Sequence, residues 1–79
     1  MKTCIATAPS LNIAIKMQKI LARVGIFAKI VSLDPSMSRR GCAYGVEFYC
    51  AEERTVKSAL KREGIFPSQF IYNTQGRAL

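Results

Sequence analysis

Histidine and tryptophan are absent from the 79 residues, and acidic side chains are scarce, 5 Asp and Glu against 12 Lys and Arg. Histidine is the commonest general base and zinc ligand. Its absence excludes Ser-His-Asp triads, Cys-His dyads within the chain and His-containing metal sites. The 5 carboxylates, Asp34, Glu47, Glu52, Glu53 and Glu63, include no obvious inward-facing pair. No glycine-rich phosphate loop or metal-ligand spacing is present either. An independent catalytic role, a cofactor and a metal are therefore not expected. Cysteine occurs at positions 4, 42 and 50, an odd count of 3 with no CxxC pair, which reads neither as a disulfide framework nor as a zinc site. No apolar run approaches the roughly 18 residues of a membrane span, and Pro9 comes too early for a signal peptide's apolar stretch. The chain reads as cytoplasmic, with reduced thiols and no membrane partner.

A chain of 79 residues holds one domain, residues 1–79, with a core one layer thick. The formal charge of +7 implies an acidic partner, whether nucleic acid, another protein or a small anion.

Lys2 to Ala8 is a short, weakly polar run that reads as an interior strand. Ser10 is a good N-cap for a helix with apolar positions Leu11, Ala14, Met17, Leu21 and Val24, widened by Ile13 and Ile20, and Gly25 closes it. Phe27 to Leu33 reads as a strand ended by Asp34-Pro35. Asp34 to Gly41, DPSMSRRG, is without periodicity and reads as a surface loop delivering the chain to Cys42. In AYGVEFYC, Tyr44, Val46, Phe48 and Cys50 share one parity and Gly45, Glu47 and Tyr49 the other, the clearest strand in the chain. Glu52 and Glu53 suit the start of a second helix, whose stripe is Val56, Ala59 and Leu60 and whose stop is Gly64. Phe70 to Tyr72 reads as a last strand.

Leu21-Ala22-Arg23-Val24-Gly25-Ile26-Phe27 and Leu60-Lys61-Arg62-Glu63-Gly64-Ile65-Phe66 agree at 5 of 7 places, and each spans a helix end. The order strand, helix, strand, strand, helix, strand is that of the ferredoxin-like α+β fold, a four-stranded antiparallel sheet with both helices on one face.

With the first and third strands as central neighbours, Cys42 falls at the sheet edge where the first helix begins. There the N-terminus capped by Ser10 and the charges of Arg39 and Arg40 favour a thiolate. Cys4 and Cys50 fall at the opposite edge as candidate cross-strand neighbours and pack as small hydrophobes. Lys16, Lys19 and Arg23 on the first helix, and Arg54, Lys57 and Lys61 on the second, form two basic stripes. A solvated face is the plainer reading and a docking face for a partner the sharper one. An RNA recognition motif uses the same fold, and Tyr49 and Tyr72 are candidate stacking residues. Yet Glu47 shares a face with Tyr49, and the expected basic and aromatic pattern on the third strand is missing.

CIATAPS, KILARVGI, LDPSMS and GCAYGVEF resemble, over nearly the whole chain, the small bacterial and archaeal family of selenium/sulfur carrier-like proteins. In that family a loop of Pro-Arg, then Ser, then Cys-Gly bears the carrier cysteine. Pro35, Ser38, Gly41 and Cys42 fit the frame, while Ser36 replaces the Arg and Ala43 the Gly. Arg39 and Arg40 bring positive charge to the same loop. The resemblance implies a carrier whose Cys42 holds sulfur or selenium as a persulfide or selenosulfide and passes it between donor and acceptor proteins. The alternative is a basic ferredoxin-like module that binds nucleic acid or an acidic protein. A regulatory domain binding a small ligand at a dimer's sheet edge is a third possibility, for which no residue names a ligand.

Overall fold

A computed structural model describes residues 2–33, 43–67 and 69–73. The order along the chain is β1 (Thr3–Ala8), α1 (Leu11–Arg23), β2 (Lys29–Ser32), β3 (Tyr44–Tyr49), a 3-10 turn (Cys50–Glu52), α2 (Glu53–Arg62) and β4 (Phe70–Asn73). The four strands form one antiparallel sheet in the order β2-β3-β1-β4. This is the ferredoxin-like arrangement expected from the sequence.

Register decides which residues face the helices. Cys4 lies opposite Phe48, Ala6 opposite Val46 and Ala8 opposite Tyr44 in the β1–β3 pair. These residues join Ala14, Met17, Ile20 and Leu21 of α1 and Val56, Ala59 and Leu60 of α2 in the core. Small residues at Ala6, Ala8, Ala14, Ala28 and Ala59 let the backbones approach closely, so a thin core still closes. The stripe of α1 is shorter than its spacing suggests. Leu11 and Val24, at its two ends, are each 43% exposed.

Both helices stop in the same way. Gly25 and Gly64 have φ of +82° and +77°, the left-handed conformation that costs glycine least. The N–H of Ile26 donates to Leu21 O and that of Ile65 to Leu60 O, both at 2.9 Å, while Leu21 and Leu60 are fully buried. The repeated heptapeptide is thus a repeated helix stop. Its last residue is not strand: Phe27 is 82% exposed, and β2 starts only at Lys29, where pairing with Glu47 begins. The expectation of a strand from Phe27 is corrected accordingly.

Candidate functional site

Cys42 and the residues grouped with it by sequence, Pro35, Ser38, Arg39, Arg40 and Gly41, lie outside the described residues. The frame on either side of them is described. Ser32 pairs with Tyr44, and the Leu33 N–H donates to Ala43 O at 2.7 Å, so the chain leaves and re-enters the sheet through one closed ladder. Tyr44 pairs on its other side with Ala8, the last residue of β1, and Ser10 opens α1 two residues later. The Ser10 side-chain oxygen accepts from the Ile13 N–H at 3.3 Å, the cap expected at that position. Ala43, the residue after Cys42, therefore stands at the edge of the sheet from which α1 departs.

The other two cysteines form a disulfide, with Cα atoms 5.1 Å apart. This corrects the expectation that no disulfide is present and that the thiols are reduced. The cause is register. Thr3 lies opposite Tyr49, and the Cys50 N–H donates to Lys2 O at 3.2 Å, which continues the ladder one step and brings Cys50 diagonally against Cys4. That separation lies within the usual disulfide range. The odd cysteine count and the separation of 46 residues concealed the bond, although the sequence had already placed both residues at the same edge. Cys4 is fully buried, whereas Cys50 is half-buried at the start of the turn into α2.

The six cations of the two basic stripes are all exposed. Among the described residues the ion pair is Lys57 with Glu53, at 2.9 Å. Lys16, Lys19, Arg23, Arg54 and Lys61 have no carboxylate partner among the described residues. Arg62, not singled out by sequence, joins Arg23 and Glu63 around a shallow depression floored by Ile20, Val24 and Ala59. The spacing from Arg23 in the repeated heptapeptide could have identified it.

Glu53 binds two groups at once. Its Oε2 accepts from the Tyr72 hydroxyl at 2.8 Å, and the Lys57 ammonium that pairs with it also sits 4.9 Å from the centre of the Phe70 ring. This cluster fastens β4 to α2. It also corrects one expectation, because Tyr72 lies opposite Cys4 on the helix side of the sheet and is no base-stacking residue on the open face. On that open face Tyr49 remains, 49% exposed, beside Glu47, which accepts from the Thr3 hydroxyl at 2.8 Å. A carboxylate next to the stacking ring repels a nucleic-acid backbone.

The hydrogen bond from Lys57, then that from Tyr72, lowers the Glu53 pKa, and the same contacts raise those of Lys57 and Tyr72. A carboxyl whose folded pKa is lowered contributes stability above its unfolded pKa, and that contribution is lost as pH falls through the lowered value. Because the cluster is exposed to solvent, its net effect on stability is small. In a carbon-detected titration of the Glu53 carboxyl, Lys57→Met is expected to raise the pKa more than Tyr72→Phe. The reverse order would make the tyrosine the dominant partner.

Among the described residues no group of three or more His, Cys, Asp or Glu is placed to hold a metal ion. No described helix is long and apolar enough to cross a membrane. No curated protein and no solved structure matches the chain. Residues 3–72 do match a family, described as "Putative Se/S carrier protein-like", and since that match spans both helices and all of the sheet but its last residue, Asn73, the chain belongs to this family.

Proposed function

We propose that the protein is a sulfur or selenium carrier whose working atom is the Cys42 sulfur. The observation that carries this reading is the Cys4–Cys50 disulfide, which occupies two of the three cysteines and leaves Cys42 as the one outside it. Family membership and the closed Leu33–Ala43 ladder support it further. Arg39 and Arg40 precede Cys42 in sequence, and nearby positive charge favours the thiolate form that attacks.

In the transfer, the Cys42 thiolate attacks the terminal sulfur of a donor's persulfide. A sulfur–sulfur bond forms to Cys42 as the donor's own sulfur–sulfur bond breaks, and the donor cysteine leaves as a thiolate. No net oxidation takes place. Delivery to an acceptor thiol repeats the same exchange, and a selenium atom passes in the same way as a selenosulfide. The exposed cations Lys16, Lys19, Arg23, Arg54 and Lys61, together with Lys57, are the docking face for acidic donor and acceptor proteins.

The test is intact mass spectrometry and site mapping after incubation with a cysteine desulfurase and cysteine. One added sulfur on Cys42, abolished by Cys42→Ser, is the expected result. An adduct that survives Cys42→Ser overturns the assignment. Absence of any adduct, together with salt-sensitive binding to nucleic acid that persists in the Ser variant, would favour a binding module instead.

A further inference from the structure

At the end of the sheet away from Ala43, Cys50 of the disulfide lines an open depression of about 600 Å³ together with Ala51, Glu53, Arg54, Thr55 and Lys57. Two properties make this more than a structural crosslink. The first is asymmetry: Cys4 is fully buried and Cys50 is half-buried, so only one of the two sulfurs belongs to a residue that an incoming nucleophile can reach. The second is charge. Lys57 is occupied by Glu53, while Arg54, exposed on the same wall, has no acidic partner among the described residues.

From this we infer a second thiol-reactive site, independent of Cys42, at which an anionic small thiol exchanges with the disulfide at Cys50. The thiol's thiolate attacks the Cys50 sulfur. A mixed disulfide forms between the thiol and Cys50, the Cys4–Cys50 bond breaks, and its electron pair leaves on the Cys4 sulfur. The Cys4 sulfur then takes a proton from water and is left as a thiol. A second molecule of the same thiol attacks the mixed disulfide, releasing the small-molecule disulfide and a Cys50 thiolate. Two thiols are oxidised and one protein disulfide is reduced. Arg54 selects the co-reactant: a free guanidinium on the wall pairs with the carboxylate of an anionic thiol and repels a cationic one.

The experiment uses the full-length Cys42→Ser protein with the disulfide intact, so its outcome is separate from that of the carrier reading. The protein is exposed to glutathione, a carboxylate-bearing thiol, or to cysteamine, a cationic one, at matched thiolate concentration. The reaction is then quenched and the first adduct mapped. The expected result is an adduct on Cys50, formed about two- to fivefold faster with glutathione, the size of a surface ion pair. Arg54→Gln should bring the two thiols toward equal rates while leaving the fold unchanged. A first adduct on Cys4, equal or faster reaction with cysteamine, or a preference that survives Arg54→Gln would overturn the inference. So would exchange that proceeds only at the rate of global unfolding.

Discussion

Replacing Cys4 and Cys50 together by alanine is expected to cost about 2–4 kcal/mol of stability, the larger of the two stability losses expected here. The bond closes a loop between residues 46 apart in sequence. Restricting the unfolded chain by that much is worth about 4 kcal/mol in the chain-entropy account. Natural domains are stable by only about 5–15 kcal/mol, so a large share of the total is at stake. At about 4–8 °C per kcal/mol, the thermal midpoint should fall by roughly 10–30 °C. Circular dichroism melts of the double variant, and of the unmodified protein with and without a reductant, would check this. An unchanged midpoint would remove the crosslink from the account of stability.

Gly45→Ala is the second change expected to have a large effect. Gly45 sits in β3 opposite Thr7, in the central strand pair. A β-carbon there would stand 2.7 Å from Ile5 Cγ2 and 2.9 Å from the backbone oxygen of Ala6. The first neighbour is a stiff, fully buried β-branched side chain and the second is part of the ladder, so neither gives way easily. The expected cost is about 1–3 kcal/mol, as for other overpacked interiors. Combining Gly45→Ala with Ile5→Ala should cost less than the sum of the two single changes, because the side-chain clash is relieved. The clash with the Ala6 oxygen remains, so rescue should be partial. Additive losses in denaturant unfolding would show that the two positions do not share space.

Much of the fold was legible because its signals are local. The helix stops are encoded twice in the same heptapeptide, and the alternation in β3 fixes which of its faces meets the helices. The errors arose where a signal needed a partner to interpret it. Phe27 looks like the start of a strand, but Ile26 completes the helix stop and Phe27 is left in solvent. The four residues of β4 are too few to fix their own parity, and only the pairing of Tyr72 with Cys4 assigns that tyrosine to the helix side. The disulfide required register as well as topology. For the candidate site, spacing and resemblance point to Cys42, which lies outside the described residues, while the proposal at Cys50 rests on burial and on Arg54, which no sequence pattern displays.

The ladder that ends at Leu33 and Ala43 bears on how such a protein can diversify. Nine residues, 34–42, stand between the two bonded positions, and the hydrogen bond that closes them belongs to the sheet. Lengthening a closed loop costs only about 0.6 kcal/mol for each doubling of its length. Added length between Leu33 and Ala43 is therefore expected to cost little in chain entropy. The stretch of chain between them can thus change length independently of the hydrogen-bonded frame held by Leu33 and Ala43.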